Sequence, residues 1–189
     1  HVPGLRVVMP TTVADARDLL IASVLCNDPV MYIDDRWLYD QEDELPPVVE
    51  LDLATQRPEI SVIGSDITIV ASGHASLLAR EAEKLLKCEN ISAEVIDVRV
   101  LNPFHAEEII ESVKKTKNLL VVDSGWISGG FSAEVIAKVV EQLPVDCLSN
   151  PPVRVALPDA PAPTSRVLEK AYYTSTDDVV KAVKKILNS

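Results

Sequence analysis

The sequence predicts an α/β protein of three layers, α/β/α, with a mostly parallel sheet, preceded by a partial α/β unit. Three observations carry this prediction. Apolar runs such as Ile67–Ala71 are as long as strands buried on both faces. Stretches with helical apolar spacing alternate with these runs, which favours parallel strands joined by helical crossovers. Proline and glycine clusters separate the two kinds of segment.

Residues 5–9 form a short β-branched run that Pro10 breaks. Thr11 or Thr12 caps a predicted helix over 14–25, where Ala16, Leu19, Leu20 and Val24 recur at helical spacing. Asn27-Asp28-Pro29 stops it, and 30–33 reads as a buried strand. A strand-helix-strand unit of this size implies a right-handed parallel crossover. It is too small to cover both faces of its own sheet, and reads as the end of a larger layer.

Residues 34–50 hold seven acids, one Arg and the Pro46-Pro47 pair, a solvated and partly extended connector. Weak strands are predicted within 48–53 and 59–63. From Asp66 onward strands fall at 67–71, 93–98, 119–122 and 153–156, and helices at 75–87, 106–115, 132–142 and 177–187. Leu77, Leu78, Leu85 and Leu86 mark the inner face of the first of these helices. Val179, Val180, Val183, Ile186 and Leu187 mark that of the last. The expected organisation is a partial unit over 1–40, a linker over 41–60 and a complete domain over 61–189.

Composition narrows the function. A net charge of −11 over 189 residues argues against a protein that tracks nucleic-acid phosphates. No apolar run approaches the roughly 20 residues that span a bilayer, and no signal-like segment opens the chain. Cys26, Cys88 and Cys147 have no metal-binding spacing and form no even disulfide set, so a reducing compartment is expected. The chain opens on His1 rather than Met, as a portion of a longer protein would.

Ligands of open α/β sheets sit beyond the carboxyl ends of the strands. Those ends carry Ser72-Gly73-His74, residues 99–105, and Asp123-Ser124-Gly125-Trp126. His74 reads either as a general base or ligand contact, or as a loop histidine at a helix start. His105, after Pro103-Phe104, reads as structural. The loop Gly125-Trp126-Ile127-Ser128-Gly129-Gly130-Phe131 matches neither the dinucleotide fingerprint nor the P-loop. Its backbone N–H groups could face a phosphate, or its glycines could permit a tight turn while Trp126 and Phe131 bury surface or mark an interface. Pro161 and Pro163 stiffen a strap over 158–164, suited to wrapping a neighbouring subunit or to crossing toward the last helix. An assembly module and a flavodoxin-like nucleotide or flavin binder both fit these features.

Several stretches together carry a family resemblance. They are HVPGLRVVMP at 1–10, Asn27-Asp28-Pro29-Val30 with Leu38-Tyr39, DITIVASG at 66–73, EVIDVRVLNP at 94–103, and PDAPAP at 158–163 with Leu168-Glu169. In order and spacing they resemble the C-terminal portion of the beta chain of thiamine-diphosphate-dependent 2-oxo acid dehydrogenases, members of the transketolase superfamily. Transketolase and deoxyxylulose-phosphate synthase are the alternatives within it. Thr164, Phe104-His105 and Asp34-Asp35-Arg36-Trp37 depart from the family pattern.

The resemblance implies a parent that decarboxylates a 2-oxo acid on thiamine diphosphate with magnesium and passes the acyl group to lipoyl. The family's glutamate and active-site histidine fall upstream of residue 1, so no catalytic or cofactor-binding residue is expected here. This portion alone is expected to bind no cofactor. The resemblance further implies that Asp28 either holds a monovalent cation or serves only the turn that stops the helix, and it gives the tail at Ser189 an interface role. The interface roles of Trp126, Phe131, Pro161 and Pro163 come from the loop and the strap themselves. It implies a homodimer through the C-terminal domain, an alpha chain as partner, and docking of an acyltransferase core at the tail. Neither nucleic acid nor membrane is expected as a partner. The implied compartment is the cytoplasm, or the mitochondrial matrix in a eukaryote.

Overall fold

The computed structural model describes residues 2–188. Its first part folds as β1 (Arg6–Val8), α1 (Val13–Leu25) and β2 (Val30–Tyr32), followed by a single 3-10 turn at Arg36–Leu38. Then come β3 (Glu59–Val62), β4 (Ile67–Ala71), α2 (His74–Lys87), β5 (Ala93–Asp97), β6 (Val100–Asn102) and α3 (Glu107–Thr116). The chain ends with β7 (Leu119–Trp126), α4 (Phe131–Gln142), β8 (Val153–Leu157), α5 (Arg166–Tyr172) and α6 (Thr176–Leu187).

Five strands form the main sheet in the order β3-β5-β4-β7-β8, and only the β3–β5 pairing is antiparallel. Side chains alternate across a strand, so each central strand feeds two cores. Ile67, Ile69, Ala71, Leu120 and Val122 face α2 and α6. Val70, Leu119 and Val121 face α3 and α4. This is the three-layer α/β arrangement with a mostly parallel sheet that the apolar runs predict.

Helix α2 departs from the expected inner face. Ala75, Ala79, Ala82 and Leu86 are buried, while Leu77 and Leu78 are half-buried and Leu85 is exposed. Small residues let the helix approach both the sheet and α6, and that contact outweighs the greater hydrophobicity of the leucines. Residues 48–53 form no strand; they run over α1, with Leu53 buried beside Val8, Leu19 and Val100.

A second sheet has the order β2-β1-β6. The β1–β2 pair is parallel, as expected of the strand-helix-strand unit, but β6 adds antiparallel from beyond the connector. Helix α1 is inverted relative to an ordinary surface helix. Asp15, Asp18, Leu19 and Ala22 are buried, whereas Leu20, Ile21, Val24 and Leu25 are exposed.

Candidate functional site

The carboxyl ends of β4, β7 and β8 open on a cavity of about 300 Å³ lined by Asp35, Trp37, His74, Asp123, Leu157 and Tyr173, among others. Asp35 organises one wall. Its carboxylate accepts from the Trp37 N–H at 3.1 Å and from the His74 backbone N–H at 3.2 Å. It thereby caps the 3-10 turn and also places negative charge at the start of α2. The His74 ring stacks on Trp37 with centroids 5.6 Å apart, and Tyr173 meets Trp37 edge-on at 6.0 Å. His105 is held elsewhere, its Nε2 lying 3.0 Å from the Ala54 carbonyl oxygen. Among the described residues neither imidazole bonds a carboxylate, so no base–orienter pair is assembled here.

The glycine loop wraps around Asp123. One carboxylate oxygen accepts from the Gly125 N–H at 2.8 Å and the other from the Ser132 N–H at 2.8 Å, in the first turn of α4. The position where a phosphate would meet this helix N-terminus is therefore filled by the protein's own carboxylate. A Cβ at Gly130 would lie 2.2 Å from the Trp126 carbonyl oxygen, which is why the turn takes glycine. Of the two readings of this loop, the structure realises the tight turn.

Trp126 is 55% exposed, and its Nε1–H donates to the Tyr172 hydroxyl at 2.9 Å and to the Ala160 carbonyl at 3.2 Å. Ser128 bonds Asp159 through both its backbone N–H (3.2 Å) and its hydroxyl (2.5 Å). These bonds lay the proline strap against the end of β7, with Pro161 exposed and Pro163 half-buried. Phe131 is half-buried, edge-on to Phe104 at 5.1 Å. Together they border a groove of about 770 Å³ that also reaches Val2, Val7 and Lys138. Asp28 is gripped by the Arg6 guanidinium, at 2.9 Å from Nε and 2.7 Å from Nη2. Ser189 lies outside the described residues.

A polar cluster that the sequence reading did not single out joins the first part of the chain to the main sheet. Asp97, 3% exposed on β5, accepts from Thr11 at 3.0 Å and from Ser76 at 2.8 Å. Burial pushes its carboxyl up to about 7, against the pull of those two hydroxyls. Arg99 pairs with Asp15 at 2.8 Å and with Glu59 at 2.8 Å. The same strand holds Glu94, whose burial is outweighed by bonds from Lys115, Ser112 and the Gly64 N–H, leaving its carboxyl below the ordinary value. The available signal was two acids inside the otherwise apolar run 93–98.

Residues 57–179 match the family described as Transketolase, C-terminal domain. The chain belongs to that family. Its full length is 38% identical to the mitochondrial pyruvate dehydrogenase E1 component subunit beta of Caenorhabditis elegans, of which it covers 54%. The corresponding subunit of Rickettsia felis is 37% identical over 98% of the chain and is covered to 56%. The chain thus spans about half the length of these curated relatives. Among solved structures, a split-gene transketolase described as an inactive beta4 tetramer matches 99% of the chain and 59% of its own, with a TM-score of 0.78 at 27% identity. Transketolase from Pichia stipitis shares the fold over 98% of the chain and 25% of its own, with a TM-score of 0.65 at 17% identity.

Proposed function

We propose that this chain is the C-terminal, assembly-forming portion of a pyruvate-dehydrogenase-type beta subunit, and that it performs no chemistry alone. The carrying observation is the open apolar face of α1, Leu20, Ile21, Val24 and Leu25, on a helix whose other face is already buried. A helix with one face already buried and a second, open apolar face is completed only when that second face is covered as well. The similarity to E1 beta subunits over essentially the whole chain favours this parent over a transketolase.

In this reading residues 1–40 close a pyrimidine-binding domain, 41–60 link, and 61–189 form the transketolase C-terminal domain. The parent decarboxylates a 2-oxo acid on thiamine diphosphate with magnesium. The residues described here do not fit that cofactor: no group of three or more His, Cys, Asp or Glu among them could hold a metal ion, and Asp123 fills the helix N-terminus. Cofactor chemistry therefore belongs to other parts of the parent. Trp126, Phe131, Pro161 and Pro163 border the surface for a second copy and for the alpha chain, and the acyltransferase core docks at the tail near Ser189. At Asp28 a monovalent cation would share the carboxylate with Arg6. The compartment is the mitochondrial matrix in a eukaryote or the cytoplasm in a bacterium, and no helix among the described residues is long and apolar enough to cross a membrane.

The test has two arms on the purified 189-residue chain. With pyruvate, thiamine diphosphate, magnesium and an artificial electron acceptor, no turnover is expected; measurable decarboxylation overturns the reading. Sedimentation at micromolar concentration is expected to reveal self-association, and a strictly monomeric species counts against an assembly role.

A further inference from the structure

Strand β5 carries two buried carboxylates, and among the described residues only Glu94 has a cation within ion-pair distance, Lys115. Asp97 is held instead by neutral hydroxyls, with Thr11 and Ser76 both directed at Oδ1. The charged groups around it come from α1, the turn after β5 and β3, while β4 and α2 present Ala71 and the Ser76 hydroxyl. Asp15 faces it from α1 and Arg99 from the turn after β5. Glu59 pairs opposite it from β3. Arg99 is itself divided between Asp15 and Glu59, so its charge is largely spoken for.

Asp97, buried at this seam with no cation within ion-pair distance among the described residues, is the decisive observation, since ionisation there leaves an uncompensated charge. The protons at Thr11 show what the bonds across the seam do in each state. The Thr11 hydroxyl has one proton and two acceptors in reach, Asp97 Oδ1 at 3.0 Å and the Gly73 carbonyl oxygen at 3.3 Å. With Asp97 ionised, that proton turns to the carboxylate and the contact with Gly73 is no longer a hydrogen bond. With Asp97 protonated on Oδ1, the carboxyl donates to Thr11 Oγ1, and Thr11 donates to Gly73. Both contacts are then bonds, and a chain of them crosses from the first part of the molecule to the strand-end loop before α2. The same seam is closed by the Met9 N–H on the Arg99 carbonyl at 2.8 Å and by Met9 packing against Gly73, which has a φ of +55°.

We infer that Asp97, Thr11 and the Gly73 carbonyl form a proton-dependent clasp, which fastens the β1–α1 unit to the main sheet when Asp97 is protonated and loosens it when Asp97 ionises. Burial supports the direction, since it raises the carboxyl from an ordinary 3.8 to about 7. The docked state therefore binds more protons across that interval, and docking weakens as pH rises through it.

The experiment follows the Asp97 carboxyl by NMR in the 189-residue chain, with amide protection of Val7, Val8, Leu19 and Ala22 measured alongside. Asp97 is expected to titrate near neutrality. Protection, corrected for intrinsic exchange, should fall roughly fifty-fold between about pH 5 and about pH 7. Asp97→Asn should hold protection constant over that range. Thr11→Val should weaken protection at every pH while its fall with pH persists, because Asp97 stays buried and still titrates. An Asp97 already ionised at about pH 5, wild-type protection that stays level between about pH 5 and about pH 7, or full wild-type protection in Thr11→Val overturns the inference. If Asp97→Asn does not fold, the wild-type titration and Thr11→Val decide the matter by themselves.

Discussion

Helices α1 and α6 are turned opposite ways. Helix α6 buries Val179, Val183 and Ile186 and shows Asp177, Lys181 and Lys185 to water. Helix α1 turns Asp15 and Asp18 inward with Leu19 and Ala22, and leaves four large apolar residues outside. The inward acids are occupied: Asp15 holds Arg99, and Asp18 accepts from Arg17 and from the Val49 N–H of the connector. Bonds from Arg17 and Val49 bring the Asp18 carboxyl below its ordinary value despite the cost of desolvation. Polarity alone thus misidentifies the inner face of a helix when acids are its means of attachment. One helix is completed by its own chain, and the other has a second face to fill.

The largest break in this comparison is expected at Arg99. Removing it strands Asp15, 6% exposed, without a counter-charge, and Arg99→Ala should cost about 3–5 kcal/mol in urea denaturation. Loss of protection concentrated in β1 and α1 would locate the damage. On the other helix, Ile186→Ala should cost about 3 kcal/mol as a cavity in the main core, shifting one cooperative transition. A cap sets the next scale. Ser175 and Asp178 form a reciprocal capping box, and Ser175→Ala should lose about 1 kcal/mol by thermal or chemical unfolding.

The sign of the accompanying pH effect follows from Asp178. Hydrogen bonding from Ser175 holds its folded carboxyl below 3.8, so its contribution is present above that value and fades as pH falls through the folded one. In Ser175→Ala that acid-side loss should shrink. The smallest effect on stability, within about 0.5 kcal/mol, is expected for Leu20→Lys combined with Val24→Lys, since neither side chain is buried. The same pair should abolish association through α1, read by sedimentation, which separates a docking face from a folding face.

The main sheet was readable because strands covered on both sides must be largely apolar, as 119–122 are and as 67–71 are apart from Thr68. The sequence pattern also placed α6, whose valines recur at one helical period. Helix α5 was missed because it buries no residue and so carries no apolar stripe. Strand β6 was missed because three residues are too few for a period, and its partner β1 lies about ninety positions away in the chain. At the site, the strand-end loops were in view, yet the stacking of Trp37 on His74 is a meeting of distant segments that no local pattern encodes. Asp97 stood out only as an acid in a buried strand.

Strand β6 has a consequence for how the polypeptide can be divided. The acidic stretch 41–50 is exposed throughout, and a protease would cut there first. Yet the fragment before the cut keeps β1 paired to Val100–Asn102 and Asp15 paired to Arg99, both belonging to the fragment after it. Cleavage would leave a nicked molecule that migrates as one species in native conditions and as two pieces only in denaturant. Two genes meeting at that connector could therefore encode the same folded object.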